Sequence, residues 1–140
     1  MEERIGKIIK VSGPLVVASG IPDAHMYEML YVGTKRLFGE IIEIRGDLSS
    51  IQVYEDTSGI GPNEPVYATG KPLSVELGPG LIGSIYDGVQ RPLDILMGKY
   101  GDYISRGLFE PALSRSKVWH FKPLLEKGTK VQPGDIIGEI

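Results

Sequence analysis

Glycine and proline recur along this chain at intervals too short for long helices. The 140 residues include 19 Gly and 10 Pro, together about a fifth of the chain, against roughly 12% in average proteins. Proline lacks a backbone N–H and glycine is conformationally free, so both interrupt helices and favour short strands joined by tight turns. This density predicts a mainly β fold.

Strand-like runs fill the first 70 residues. In the clearest of them Ile51 and Val53 share one face while Gln52 and Tyr54 share the other, as in a half-buried strand. The run Ile41–Ile44 alternates less cleanly. Six strands are predicted, over Arg4–Val11, Leu15–Ala18, Tyr27–Val32, Phe38–Arg45, Ser50–Glu55 and Pro65–Tyr67.

Two turn sequences separate these runs. Ser12-Gly13-Pro14 cannot continue a ladder because Pro14 has no N–H to donate, and Arg45-Gly46-Asp47 joins two runs closely enough for a hairpin. Six short strands are too few for two large sheets, whereas a closed barrel buries one face and leaves no strand edge exposed. The sequence therefore predicts a small six-stranded N-terminal β-barrel over residues 1–70.

The pattern changes after residue 70. Residues 71–107 are predicted to form a Gly/Pro-rich connector with one short helix, Pro92–Tyr100, in which Pro92 suits the first turn and Gly98 or Gly101 can end it. Residues 108–140 are predicted to begin a further β-rich region of strands and turns, in the runs Lys117–Phe121, Glu126–Val131 and Gln132–Ile140, the last of which ends in a strand over Asp135–Ile140. Because the last run reaches the terminus, it lacks the neighbours that a strand needs, so we expect this region to be incomplete.

Charge and cysteine content exclude several classes of function. The net charge of −3 and the pI near 5.4 provide no positive field that would attract nucleic acid. With no cysteine, disulfides and thiolate metal sites are excluded. The chain starts without the apolar region of a secretion signal, and no run is long enough to span a bilayer. We therefore expect a cytoplasmic protein that reaches a membrane only through partners.

Two glycine patterns bear on nucleotide binding. Gly78–Gly83 matches Gly-x-Gly-x-x-Gly by letters, but Pro79 donates no N–H and no helix or βαβ unit follows, so the pattern predicts a sharp turn. Each Gly-Lys pair lacks both the upstream glycine and the following hydroxyl of a phosphate-binding loop; the pairs are Gly6-Lys7, Gly70-Lys71 and Gly98-Lys99. The chain thus contains no motif for ATP.

Metal-binding and acid–base residues are equally scarce. The only histidines, His25 and His120, lie far apart in sequence without cysteine, which favours surface histidines over a zinc site. The carboxylate pairs Glu2-Glu3 and Glu55-Asp56 have no apolar pocket nearby in sequence and are predicted to be solvated. We therefore expect no catalytic, cofactor-binding or metal-ligating residue in this chain.

Two further segments have a structural explanation. Arg45-Gly46-Asp47 matches a cell-adhesion tripeptide, but without a secretion signal it is predicted to be only a hairpin tip. Trp119 and Phe121 alternate within a predicted strand, which favours core or interface packing over ligand stacking.

Over nearly its whole length the chain resembles the catalytic subunit of A-type and V-type rotary ATPases. The barrel segments are also shared with the non-catalytic subunit, whereas Pro72–Leu93, Gly101–Gly107 and Trp119–Phe121 resemble only the catalytic one. The shared segments are Gly6–Ile8, Ser12–Val16, Met26–Glu28, Gly39–Ile42 and Ile51–Gly59.

This resemblance implies the N-terminal part of a catalytic A subunit of a proton- or sodium-translocating ATP synthase. It implies a barrel that joins neighbouring barrels in an alternating A3B3 hexamer with B subunits, and contacts with central and peripheral stalk subunits. It also implies that residues 108–140 begin the bulge, or non-homologous, region. Mg-ATP would bind the intact subunit beyond Ile140, and the complex would sit on the inner face of the cell membrane.

A different class of function is an OB-like β-barrel that binds single-stranded nucleic acid on an aromatic and basic face. Its aromatic candidates are Tyr27, Tyr31 and Tyr54, but these are interleaved with acids such as Glu28 and Glu55 in place of a basic stripe. A stand-alone enzyme is favoured less, because the sequence offers no triad, metal set or phosphate loop.

Overall fold

The computed structural model describes residues 4–140 and is mainly β, as the sequence predicts. Its first six strands form a closed antiparallel barrel in the order β1-β2-β5-β4-β3-β6, with β6 pairing back onto β1. The elements are β1 (Arg4–Ser12), β2 (Leu15–Ser19), β3 (Glu28–Val32), β4 (Leu37–Arg45), β5 (Leu48–Val53), β6 (Pro65–Pro72), α1 (Leu93–Tyr100), β7 (Lys122–Pro123) and β8 (Gly138–Glu139).

Alternation along the strands builds one core inside the barrel. Along β2, Val16 and Ala18 are fully buried while their neighbours face outward, and Ile51 and Val53 of β5 are buried as predicted. The core consists of Ile8, Val16, Ala18, Ile21, Leu30, Val32, Leu37, Ile41, Ile51, Val53, Ile60 and Val66. This core draws on all six strands of the barrel.

Two strands that break the alternation contain β-bulges. The register shifts between Ile8 and Lys10 where β1 pairs with β2, and between Ile41 and Glu43 where β4 pairs with β5. A bulge adds one unpaired residue, so the two residues there no longer face opposite sides of the sheet. The bulge in β4 explains the uneven alternation of residues 41–44.

A buried carboxylate ties the barrel closure together. Glu28, at the start of β3, is 1% exposed, and its Oε1 accepts hydrogen bonds from Arg4 Nη1 and from the amide of Gly70, both at 2.6 Å. The amide of His25 donates to the other oxygen at 3.1 Å. Since Arg4 and Gly70 belong to β1 and β6, one side chain links the three strands that close the barrel.

Several predicted boundaries shift by a few residues. Tyr27 has a φ of 63°, so β3 begins at Glu28. β6 extends beyond Tyr67 to Pro72, because Ala68 and Pro72 pair with Leu30 and Glu28 of β3 across a further register shift. Pro92 is extended and precedes the helix, whereas Gly101 ends it, as one of the two predicted stops.

The runs of strand and turn predicted in the last part of the chain contain much less strand than expected. Residues 117–121 and 126–131 contain no strand, and within Gln132–Ile140 only Gly138–Glu139 is paired, with Lys122–Pro123. Residues 115–140, all of which the structure describes, include none that is buried. Apolar side chains without a surface to pack on cannot hold extended backbone in a sheet, so turns prevail.

Across the described residues, no helix is long and apolar enough to cross a membrane.

This contrast predicts the pattern of hydrogen exchange. We expect amides in residues 115–140 to exchange faster than those in residues 5–55, because the former depend on short turns and a two-residue ladder. Exchange followed by mass spectrometry on one sample measures both segments. Equal protection would contradict this explanation.

Candidate functional site at the junction of barrel and connector

The glycine-rich segment Gly78–Gly83 forms consecutive turns, as predicted. The amides of Leu81 and Ser84 donate to carbonyls within the segment, at 3.4 and 3.2 Å, and the Ser84 hydroxyl donates to the Gly80 carbonyl. Gly80 has a φ of 97° and lies against the Trp119 ring, where a Cβ would come within 3.2 Å. Backbone geometry and close packing therefore account for the glycine at position 80.

Both histidines are exposed, and residues 45–47 form a turn. His25 is largely exposed, with its Nδ1 3.8 Å from Glu28 Oε2, and His120 is exposed. Among the described residues no group of three or more His, Asp or Glu could hold a metal ion. Residues 45–47 turn between β4 and β5, where Arg45 pairs with Glu43 and Asp47 accepts from the amide of Gly20. The predicted hairpin tip is confirmed.

Trp119 and Phe121 do not lie on a strand, so the predicted alternation of these two residues within a strand is wrong. Trp119 is 36% exposed and lies under the ammonium group of Lys117, 4.1 Å from the ring centroid. Phe121 is 47% exposed. Among the three tyrosines, the Tyr54 hydroxyl donates to Glu40, and the Tyr31 ring packs 5.2 Å from Phe38.

One carboxylate pair behaves differently from the prediction. Glu2-Glu3 lies outside the described residues. Asp56 is exposed, as predicted, but the Glu55 side chain is only 10% exposed and is held by Arg91. The expectation that Glu55 is solvated is therefore wrong, because its charge partner lies 36 residues away along the chain.

Arg91 is the centre of the junction between the barrel and the connector, residues 71–107. Its guanidinium donates to Glu55 at 2.9 Å and to Asp87 at 2.7 Å, and lies 5.5 Å from the centroid of the Phe38 ring. Another hydrogen bond runs to the carbonyl of Leu108, at 3.3 Å. Arg91 thus joins the barrel to residues on both sides of α1.

Glu55 accepts more than the arginine. Its two oxygens also receive the amides of Phe38, at 3.1 Å, and of Gly107, at 3.2 Å. Gly107 has a φ of 70°, and any Cβ there would overlap the carbonyl oxygen of Lys35, so only glycine allows this approach. The Glu55 carboxylate therefore contacts β4 and the chain on both sides of α1.

A second arginine strengthens the same junction between the barrel and the connector. Arg106 Nη1 donates to the carbonyls of Asp56 and Ser58, at 2.9 and 2.7 Å, and to the Asp56 carboxylate at 3.2 Å. Residues 55–58, which follow β5, therefore contact the chain before α1 through Arg91 and after it through Arg106. These contacts hold the connector against the barrel.

The charges of the junction stabilise one another. Burial opposes the ionised form of Asp87, but hydrogen bonds from the Arg91 amide and guanidinium and from the Val89 amide outweigh it and lower the pKa of that carboxyl. Burial likewise opposes the charged form of Arg91, but Asp87 and Glu55 outweigh it and raise its pKa. Both groups therefore stay ionised at neutral pH, and the pairing persists.

An apolar cleft borders this junction. Two adjoining cavities of about 360 and 390 Å³ share Phe38, Leu73, Val89 and Arg91 in their walls. Arg91 already pairs with Glu55 and Asp87, so the cleft offers mainly apolar contact.

The sequence gives little indication of this junction. Asp87 and Arg91 lie four residues apart, but nothing in the sequence identifies Glu55 as their partner.

Removing the arginine charge tests the junction. Arg91→Met is expected to lower the free energy of unfolding by about 3 kcal/mol, because Glu55 would remain buried without its counter-charge. Urea denaturation followed by circular dichroism measures this loss. Arg45→Met, which removes an exposed partner of Glu43, should cost about 0.5 kcal/mol.

The double variant Glu55→Gln/Arg91→Met should recover part of that loss, since it removes both charges while keeping an acceptor for the two amides. Equal losses for Arg91→Met and Arg45→Met would show that the junction adds no stability.

Two sequence families match different parts of the chain. Residues 8–70 match the beta-barrel domain of the ATP synthase alpha/beta family. Residues 110–140 match the barrel-sandwich domain of ATP synthase alpha/beta subunits. The first match covers nearly all of the barrel that the structure shows, and the second begins shortly after the docked connector.

Individual proteins match over almost all of these residues. The V-type ATP synthase alpha chain 1 of Clostridium tetani is 58% identical over 138 residues, which are 99% of this chain and 23% of that protein. The V-type ATP synthase alpha chain of Thermoanaerobacter sp. is 58% identical over 135 residues, 96% of this chain and 23% of that protein. The A subunit of the A-type ATP synthase of Pyrococcus abyssi is also 58% identical over 135 residues, 96% of this chain and 13% of that protein.

The chain therefore spans less than a quarter of the length of these relatives. The identity extends through the barrel, the connector and residues 108–140, so it includes the segments that resemble only the catalytic subunit. Taken together, these matches show that the chain belongs to the ATP synthase alpha/beta family, in the group of V-type alpha chains and A-type A subunits.

Proposed function

We propose that this chain is the N-terminal part of the catalytic A subunit of a proton- or sodium-translocating ATP synthase, and that it serves assembly. The identity to V-type alpha chains and to an A-type A subunit supports this assignment. In the intact protein, Mg-ATP would bind outside these residues. Neighbouring B subunits and the stalk subunits would hold the complex at the inner face of the membrane.

The closed barrel carries the assembly role. Since every strand of the barrel is paired on both sides, a neighbour cannot add a strand and must contact outward-facing side chains. Aliphatic side chains are available there: Ile5, Ile9, Ile42 and Leu48 are each between 41% and 51% exposed. Burial of such side chains at a contact would contribute to the affinity for a neighbouring subunit.

We assign roles to three segments. Residues 1–70 would form the barrel that contacts neighbouring subunits, and residues 71–107 would lead toward the nucleotide-binding domain. Residues 108–140 would begin the bulge region and contact the peripheral stalk. In support of the last role, Val118 is 92% and Ile136 is 74% exposed.

Titration with nucleotide tests whether these residues lack an ATP site. We expect no heat of binding when Mg-ATP is added to the 140-residue chain, because no phosphate-binding loop is present and the glycine-rich turn uses the amides of Leu81 and Ser84 internally. Isothermal titration calorimetry measures this, with a P-loop ATPase as the positive control. A micromolar site would overturn the assignment.

Binding to the neighbouring B subunit tests the assembly role. The chain should bind the B subunit of an A-type ATP synthase in solution, since outward aliphatic side chains on the barrel would be buried at the contact. Size-exclusion chromatography with light scattering detects the complex. Failure of the folded chain to bind B would contradict the proposal, and an unrelated small β-barrel serves as the control.

A further inference from the structure

Two strands of the barrel carry the same pattern with opposite charge. Residues 7–11 of β1 read Lys-Ile-Ile-Lys-Val, and residues 40–44 of β4 read Glu-Ile-Ile-Glu-Ile. In each, the first isoleucine is fully buried, Ile8 in one and Ile41 in the other. The second isoleucine of each lies at a β-bulge.

These second isoleucines face out of the barrel. Ile9 is 51% and Ile42 is 41% exposed, as alternation requires of a residue that directly follows a buried one. Without the extra residue of the bulge, alternation would send the next residue, Lys10 or Glu43, inward. Each bulge therefore presents an isoleucine and a charged residue side by side on the outer surface.

Barrel closure places the two strands on opposite sides. In the closed order β1-β2-β5-β4-β3-β6, β4 is three places from β1 in either direction. One row of paired residues connects them, from Lys10 through Val17 and Ser50 to Glu43. Two complementary surfaces on opposite sides of one protein suit a head-to-tail contact, which builds a ring when the rotation between neighbours closes.

The charges are available to a partner to different degrees. Among the described residues, neither Lys7 nor Lys10 has a hydrogen bond or ion pair through its ammonium group. On the other side, Glu40 accepts from the Tyr54 hydroxyl and Glu43 pairs with Arg45, in exposed contacts that water screens. Among the described residues, the charged groups of the basic surface therefore have fewer partners within the chain than those of the acidic surface.

We propose that these surfaces are the two halves of one contact between barrels. We call them the basic stripe, which is Lys7, Ile9 and Lys10, and the acidic stripe, which is Glu40, Ile42 and Glu43. The partner at the basic stripe is a neighbouring barrel that presents an aliphatic side chain between acidic residues. The partner at the acidic stripe presents an aliphatic side chain between basic residues. This inference rests on the proposed assembly role and names the residues that perform it.

Charge reversal tests the proposal with the chain itself as the probe, since one chain carries both stripes. The chain should self-associate at high protein concentration and low salt, measured by sedimentation velocity. Lys7→Glu/Lys10→Glu leaves two acidic surfaces, and Glu40→Lys/Glu43→Lys leaves two basic ones. Each variant alone should associate about tenfold or more weakly, because like charges face one another. An equimolar mixture of the two should recover association.

A matched control changes the same charge elsewhere. Lys71→Glu/Lys127→Glu alters the net charge equally at two exposed positions outside both stripes, so it should associate like the unchanged chain. Circular dichroism checks that every variant keeps its β structure. Failure of the mixture to recover association, or an equal loss in the control, would overturn the proposal, as would an unchanged chain that stays monomeric.

Cysteine pairs provide a second measurement that does not depend on charge. The chain has no cysteine, so Ile9→Cys and Ile42→Cys in separate chains can form only the disulfides that are being tested. Under mild oxidation we expect the mixed dimer to form faster than either homodimer. Val118→Cys, at a 92% exposed position, gives the collision rate. A mixed dimer no faster than that control would count against the contact.

The outcomes separate this inference from the assembly role. If the chain binds the B subunit but the charge reversals leave that binding unchanged, the assembly role stands and the stripes are not the contact. If the mixture of variants associates while no variant binds B, the stripes pair barrels and the assembly role fails. Salt-sensitive retention of single-stranded DNA that the Lys7→Glu/Lys10→Glu variant loses would instead support nucleic-acid binding and overturn the proposal.

Discussion

Closure of the barrel is the constraint on which the rest of the structure depends. Strand β6 must pair with both β1 and β3, and Glu28 stabilises this arrangement by joining Arg4 of β1 to the amide of Gly70. A buried carboxylate is costly unless its hydrogen bonds are satisfied. Here it has one cationic partner and two amide donors, so the buried charge specifies which strands meet.

Closure also fixes what lies outside the barrel. Glu55 lies in the segment that follows β5. It accepts hydrogen bonds from Arg91, which precedes α1, and from the amide of Gly107, which follows α1. The connector therefore leaves the barrel in a defined direction. This is important for the proposed assembly role, because contacts made by the barrel can set the position of whatever follows the connector only through a rigid junction.

The β-bulges of β1 and β4 show how a small change in a strand creates a surface. An ideal strand of this barrel would bury alternate residues and turn the others outward. In β1 and β4, Ile8 and Ile41 lie in the core and the next residues, Ile9 and Ile42, face outward, and the added residue turns Lys10 and Glu43 outward beside them. The stability of the core and the exposure of an apolar contact are thus obtained from the same short stretch of each strand.

The sequence by itself determined the β class, the six strands of the barrel and the glycine-rich turn at Gly78–Gly83. Alternation, turn residues and missing motifs are local properties, so they can be read along the chain. Only the tertiary structure decided that Glu55 is buried, that it pairs with Arg91, and that the predicted strands after residue 116 are mostly turns. These depend on which distant segments meet: a carboxylate is solvated or buried, and an apolar run is a strand or a turn, according to the neighbour that packs against it.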